Sequence, residues 1–157
     1  MLNREEIAWR IPHQGRMCLL EQVVFWNAER IECLAVSHRD PTNPLRAFGR
    51  LGIVVGVEYA AQAMAVHGTL ASEAARQSGE TPRAGYLASI RGVRLHARRL
   101  DDLQPALTVR AERLLGDDNN IVYSFEVAAN ERPLLSGRAT VVLDAALAQR
   151  MAAGEKA

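Results

Sequence analysis

Glu58 is the residue whose position in the sequence most strongly suggests chemistry. It stands within the otherwise apolar stretch IVVGVEYAAQAMAV. A carboxyl group in such surroundings is partly removed from water and could act as a proton donor. Gln62 follows four residues later, so on a helix it shares a face with Glu58 and its amide can orient the carboxyl group. The alternative is an ordinary solvated glutamate near a helix start.

An imidazole is the second group that proton transfer would need, and His13 is the preferred candidate. It follows Ile11-Pro12 in a loop that leads into the first predicted strand, where a histidine can act as a general base. His38, at the start of the loop before the long helix, is the second candidate. A structural role for either is the alternative. The four histidines are scattered without metal-ligand spacing, so we predict no metal site.

The start of the predicted long helix is a candidate binding site for a thioester oxygen. Residues Ile53 to Gly56 would supply backbone N–H groups there, and a helix N-terminus favours developing negative charge. Gly52 and Gly56 would also let a substrate approach the backbone, unless they only relieve packing. Phe48, in the loop ahead of the helix, completes the predicted substrate-binding residues.

Arginines concentrate in two segments of a chain whose formal net charge is only +1. Arg46 and Arg50 lie in the loop before the long helix, and Arg91 and Arg94 lie in the strand that follows it. Such a basic patch could dock an acidic carrier protein. A solvated strand face without a partner is the alternative.

These residues require a long helix and a sheet to position them. Residues 53–77 contain no proline and many alanines, which predicts one long helix that is buried on most faces of its first half. Residues 3–9 predict a short helix. Alternating apolar residues predict strands at 18–26, 31–37, 84–100, 106–115, 121–129 and 134–144.

The order of elements predicts an α+β fold in which a curved antiparallel sheet of about six strands wraps the long helix. Small side chains such as Ala60, Ala63 and Gly68 would let the sheet close tightly. The 157 residues fit a single domain, with 145–157 as a peripheral tail. Dimerisation is expected to cover a sheet edge.

Composition excludes several other classes of protein. Apolar residues make up 48% of the chain, which is enough for a core, while the near-neutral charge gives no field for nucleic acid or membrane. No apolar run is long enough to span a bilayer. The start of the chain lacks a signal-peptide pattern, and Cys18 and Cys33 are predicted to be buried free thiols. We therefore expect a cytoplasmic protein.

Three stretches resemble the hot-dog-fold beta-hydroxyacyl-(acyl-carrier-protein) dehydratases, especially the dehydratase-like branch of aryl polyene pigment pathways. They are IPHQGRMCLL at 11–20, VEYAAQA at 57–63 and GYLASIRGVRL at 85–95. The resemblance implies a hot-dog fold, Glu58 as the acidic catalytic group and Gln62 as its orienting partner. It also implies a carrier-protein-bound substrate, a dimer with active sites at the subunit interface, and neither a metal nor an organic cofactor.

The chain departs from that family at the loop before the helix. The family has its catalytic histidine in a His-Phe-Pro-Gly loop, whereas residues 43–50 here read NPLRAFGR. Our primary hypothesis is dehydration of an R-3-hydroxyacyl carrier-protein thioester to the trans-2-enoyl thioester, with His13 as base and Glu58 as acid. One alternative is a non-catalytic or weakly active partner of a complete dehydratase. The other is a hot-dog thioesterase in which Glu58 activates water.

Overall fold

The computed structural model of the chain describes residues 1–79, 84–117, 119–144 and 153–154. The predicted tail at 145–157 otherwise lies outside the described residues. The helices and strands, in chain order, are β1 (Leu2–Asn3), α1 (Arg4–Arg10), β2 (Gln22–Trp26), β3 (Arg30–Ala35), α2 (Gly56–Gln77), β4 (Ala84–Leu95), β5 (Leu107–Gly116), β6 (Asn120–Ala129) and β7 (Arg132–Asp144).

The seven strands form one sheet in the order β1-β2-β3-β5-β6-β7-β4, and every pair of neighbours is antiparallel. The predicted α+β arrangement is therefore confirmed, with one strand more than expected. The extra strand is β1, whose two residues pair with Val23 and Gln22. Two residues are too few to show the alternation of apolar and polar side chains that predicts a strand.

The helix α1 begins at a capping box, in which Asn3 and Glu6 each bond to the backbone N–H of the other. This reciprocal pair satisfies two N–H groups that a helix start leaves free. Ile7 is the residue that α1 buries in the core. The helix therefore anchors the chain immediately ahead of the Ile11-Pro12 loop and His13.

Residues 18–21 were predicted as strand, but β2 begins only at Gln22. A short 3-10 helix at Gly15–Met17 precedes this segment, and Cys18, Leu19 and Leu20 are buried. The reason is that side chains, and not a neighbouring strand, satisfy the backbone of Leu19. The Leu19 N–H donates to Gln62, and the Leu19 carbonyl accepts from Ser37.

The long helix matches its predicted span, 53–77, with a 3-10 turn at Ile53–Val55 leading into α2. Tyr59, Ala60 and Ala63 are fully buried against the sheet. Gly79 follows the helix with a φ of 82°, a left-handed conformation that glycine adopts without steric cost.

The strand β4 lies at one edge of the sheet and pairs only with β7 among the described strands. The predicted irregularity at Gly92 is confirmed, because φ there is 60° and the register with β7 shifts between Arg91 and Arg94. β4 ends at Leu95, earlier than predicted, and the following segment bends back to meet the start of the long helix through a bridge between Gly52 and Arg99.

Candidate active site

Glu58 lies in the first turn of α2, and its side chain is 34% exposed. One of its carboxyl oxygens, Oε1, lies 3.0 Å from His13 Nε2 and 3.1 Å from Gln62 Nε2. The predicted contact between Gln62 and Glu58 is therefore confirmed. Within the described part of the chain, no hydrogen bond is formed by the second oxygen, Oε2, so that atom remains free to meet a substrate.

Gln62 is fully buried and uses both ends of its amide. Its Nε2 donates to Glu58 Oε1 and, at 2.7 Å, to the Met17 carbonyl. Its Oε1 accepts from the Leu19 N–H at 2.9 Å. These contacts define which end of the amide faces Glu58. In the reverse orientation, the Nε2 donor of Gln62 would face the Leu19 N–H, and two donors cannot form a hydrogen bond with each other.

His13 reaches Glu58 because the loop after α1 is folded back on the helix. Gln14 Nε2 donates to the carbonyl groups of Ala8 and Ile11, and Arg4 donates to the carbonyl of Gly15. The imidazole of His13 is 28% exposed, while its Nδ1 is buried and has no hydrogen-bond partner within the described residues. Nε2 is therefore the ring nitrogen that faces the site.

An imidazole and a carboxyl group at this distance can exchange a proton directly. Beside a bound molecule, one group of the pair can accept a proton while the other donates one. Gln62 restricts the rotation of the carboxyl group, so the proton would be presented in one direction. The arrangement therefore suits a reaction that removes one proton and delivers another.

His38, the second imidazole candidate, occupies a different position. It is fully buried, and its Nε2 lies 3.1 Å from the carbonyl oxygen of Leu103. Burial lowers the pKa of His38 and keeps the ring neutral. The side chain therefore contributes to the packing of the loop around Leu103, and the structure brings His13 rather than His38 to Glu58.

The expectation that the helix-start amides are free donors needs correction. The Ile53 N–H donates to the Arg98 carbonyl at 3.1 Å, and the Gly56 N–H is directed at the carbonyls of Ile53 and Val54. The Val55 N–H also donates, to the Gly52 carbonyl at 3.1 Å. The 3-10 turn and the bridge to the β4–β5 segment therefore use three of the four amides that were predicted to bind a thioester oxygen.

The two predicted substrate-binding glycines differ in their surroundings. A Cβ added to Gly56 would lie 3.1 Å from Leu135 Cδ2, whereas a Cβ added to Gly52 would meet no atom within 4 Å. Gly56 therefore allows close packing of the helix on β7. Phe48 is fully exposed in the preceding loop, with a φ of 53°.

The four predicted docking arginines divide into two groups. Arg46 lies 3.5 Å from Asp101 and donates to the Gly49 carbonyl. The nearby guanidinium of Arg99 holds the pKa of Asp101 well below its usual range, so this cluster is ionised and internally paired.

Arg50, Arg91 and Arg94 form the second group and are exposed. Arg91 lies directly opposite Arg138 of β7, which places two positive charges side by side on the sheet. Like charges in this relation repel each other. Positive charge is therefore concentrated on this part of the sheet.

The two remaining histidines, His67 and His96, differ in burial. His67 is buried between Tyr123 Oη and the Asn27 carbonyl, each 2.8 Å from one ring nitrogen, and His96 is exposed. Cys18 and Cys33 are buried free thiols, as predicted.

The described residues hold neither a cluster of metal ligands nor a membrane-spanning helix. No group of three or more histidine, cysteine, aspartate or glutamate side chains in the described residues could hold a metal ion. Nor is any described helix both long and apolar enough to cross a membrane.

Known structures with the same architecture define the fold. The dehydratase heterocomplex ApeI:P from Xenorhabdus doucetiae contains a chain that matches with a TM-score of 0.74 and 24% identity, over 92% of each chain. The thioesterase HI1161 from Haemophilus influenzae matches with a TM-score of 0.66 and 16% identity, also over 92% of each chain. A hypothetical thioesterase with coenzyme A from Streptococcus pneumoniae matches with a TM-score of 0.57 and 11% identity, over 78% of this chain and 84% of that one.

The protein therefore has the hot-dog fold of dehydratases and thioesterases, as the sequence resemblance predicted. The profile of the ApeP-like family, described as ApeP dehydratase, matches residues 5–152. The chain belongs to this dehydratase family. No curated relative matches the chain.

Proposed function

We propose that the protein dehydrates an R-3-hydroxyacyl group, carried as a thioester on an acyl carrier protein, to the trans-2-enoyl thioester. The observation that carries this proposal is the contact of His13 Nε2 and Gln62 Nε2 with the same oxygen of Glu58. Membership of a dehydratase family supports the reaction class.

The two side chains divide the proton transfers of the elimination. His13 Nε2 removes a proton from C2, and the electron pair left behind forms the C2=C3 double bond as the C3–O bond breaks. Glu58 donates a proton to the departing hydroxyl group, which leaves as water. The nearby helix start favours the negative charge that develops on the thioester oxygen, even though three of its four amides are bonded within the fold.

The short contact between the two residues would also complete the cycle. After turnover, His13 carries the proton from C2 and Glu58 is ionised. Transfer of that proton from Nε2 to Oε1 across 3.0 Å restores both groups to their starting forms. The reaction is therefore balanced without a further acid or base.

A second hot-dog subunit, either another copy of this chain or a related one, is expected to complete the site. The similar chain from Xenorhabdus doucetiae belongs to a dehydratase heterocomplex. In this protein, Phe48 and Val54 are exposed near the start of the long helix, and apolar residues of the edge strand β4 are also exposed. Burial of these side chains would favour association.

The substrate's carrier protein would dock at the exposed arginines. Arg50, Arg91 and Arg94 are available, whereas Arg46 is paired with Asp101. Charge complementarity of this kind accelerates the encounter with an acidic protein.

The test is turnover of 3-hydroxyacyl carrier protein, followed by the loss of water in the mass of the acyl group. We expect Glu58→Gln to lower kcat by a factor of about 100 or more, since a carboxamide cannot donate the required proton. Glu73→Gln is the matched control, because Glu73 lies on the same helix but pairs with Arg10. Unchanged turnover in Glu58→Gln would exclude the assigned role of Glu58.

The same assay separates the two alternatives. The likeness to thioesterases motivates a hydrolytic reading, in which the products are free acid and the carrier thiol. A purified chain that is inactive alone but active with a related subunit would identify a heteromeric partner. Release of acid without enoyl product would contradict dehydration.

A further inference from the structure

A polar cluster of Tyr59, Ser37 and Asn43 forms around the buried Tyr59 hydroxyl, one residue along α2 from Glu58. Tyr59 follows Glu58 in α2 but is fully buried, and its hydroxyl lies 2.8 Å from Ser37 Oγ. Asn43 Nδ2 lies 3.3 Å from the Tyr59 hydroxyl and 2.9 Å from the Ser37 carbonyl. These three residues come from separate segments, so no spacing along the sequence marks them as a cluster.

The direction of the hydrogen bonds in this cluster follows from its donors. The Ser37 hydroxyl donates its one proton to the Leu19 carbonyl at 2.7 Å. Tyr59 must therefore be the donor in its contact with Ser37. Burial raises the pKa of Tyr59, which keeps the phenol protonated for this role. Asn43 in turn donates to the Tyr59 oxygen.

Leu19 is held from two directions by this arrangement. Ser37 bonds to its carbonyl, while Gln62 Oε1 accepts from its N–H at 2.9 Å. The backbone of a fully buried residue is thus fixed between the 3-10 helix at Ser37–Arg39 and the helix α2. A displacement of Leu19 would move the atom that orients the Gln62 amide.

We infer that Ser37 is a positioning residue for catalysis. It fixes Leu19, Leu19 sets the orientation of Gln62, and Gln62 presents the Glu58 carboxyl to His13. This inference rests on the proposed function for its effect on turnover, but the positional effect on Leu19 and Gln62 is independent of the reaction. Tyr59 and Asn43 support Ser37 by directing its proton toward Leu19.

The test compares Ser37→Ala with Ser37→Thr, which keeps the hydroxyl group. We expect Ser37→Ala to lower kcat about tenfold while KM stays within about twofold, because a small misplacement of a catalytic group costs rate more than binding. Ser37→Thr should restore most of kcat. Ser78→Ala is the matched control, since the Ser78 hydroxyl donates to the Ala74 carbonyl at the exposed end of α2.

Hydrogen exchange of the Leu19 amide and the NMR signals of the Gln62 side-chain amide provide a readout without turnover. Ser37→Ala should accelerate that exchange and shift those signals, and Ser37→Thr should leave both near the wild-type values. A purely structural role would lower the melting temperature but leave kcat per folded molecule unchanged.

The two proposals fail in different ways. Unchanged kcat in Ser37→Ala overturns the inference, as does a fall in kcat without any change at Leu19 and Gln62. If Glu58→Gln retains full activity, the proposed function fails. In that case an unchanged Leu19 amide in Ser37→Ala still overturns the positioning role, and a change there supports it.

Discussion

Two buried histidines, His38 and His67, lie outside the proposed catalytic pair, and their burial makes the stability of the fold depend on pH. His38 has one bonded ring nitrogen and a buried Nδ1 without a partner within the described residues, whereas His67 bonds through both nitrogens. Burial lowers the pKa of both side chains. Each is therefore neutral in the folded protein and takes up a proton more readily when the chain unfolds.

The free energy of unfolding should consequently fall in mild acid. The contribution is fully present above about pH 6.5, where an unfolded histidine is neutral, and it is lost as pH falls from there toward the lowered folded pKa. The limiting slope is about 1.4 kcal/mol per pH unit for each histidine. Urea unfolding between pH 7.5 and pH 5 measures it.

A matched pair of variants tests whether a buried histidine causes this pH dependence of the unfolding free energy. His38→Asn should reduce the pH dependence, while His96→Gln should leave it unchanged because His96 is exposed. An unfolding free energy that stays constant between pH 7 and pH 5 would contradict the prediction.

At the scale of elements, α2 packs closely on the sheet at its first residue. Gly56 packs against Leu135 and Val127, both fully buried, and leaves little space for a side chain. Gly68 was expected to allow tight closure, but a Cβ at that position would meet no atom within 4 Å. Of these two glycines, therefore, only Gly56 lies where the sheet packs closely on the helix.

This difference predicts opposite responses to the same substitution. Gly68→Ala should raise the free energy of unfolding by about 1 kcal/mol, because alanine is the better helix former and has space there. Gly56→Ala should gain less or lose stability, since Leu135 must move. Chemical denaturation of the two variants measures both changes. Equal stabilisation by both would contradict the described packing at Gly56.

At the scale of the whole molecule, the outer edge of β4 is paired with no other strand among the described residues. Tyr86, Leu87, Val93 and Leu95 of β4 are each 41–48% exposed. An edge strand with apolar side chains is a surface for pairing with another chain. The open edge therefore agrees with a protein that functions as part of a dimer.

We expect the chain to form a dimer, alone or with a related hot-dog subunit, and to bury roughly 1,600 Å² in doing so. Leu87→Lys should weaken that dimer by placing a charge on the edge strand. Leu115→Lys, on the interior strand β5, is the control. Light scattering after gel filtration measures the mass. A dimer that survives Leu87→Lys unchanged would place the interface elsewhere.

The sequence by itself determined the features that depend on neighbours along the chain. The helix over 53–77, the irregularity at Gly92 and the contact between Glu58 and Gln62 all follow from composition or from helical spacing. Resemblance extended this to the hot-dog fold. Local patterns carry such information because the interacting groups are brought together by one element.

Only the tertiary structure decided the contacts between distant segments. It placed His13 rather than His38 beside Glu58, and it used the Ile53 amide to bond to Arg98. It also replaced the predicted strand at 18–21 with a segment held by Gln62 and Ser37. These outcomes depend on how loops fold back onto α2 and on which polar groups must be satisfied when they are buried, and neither is encoded in residue spacing.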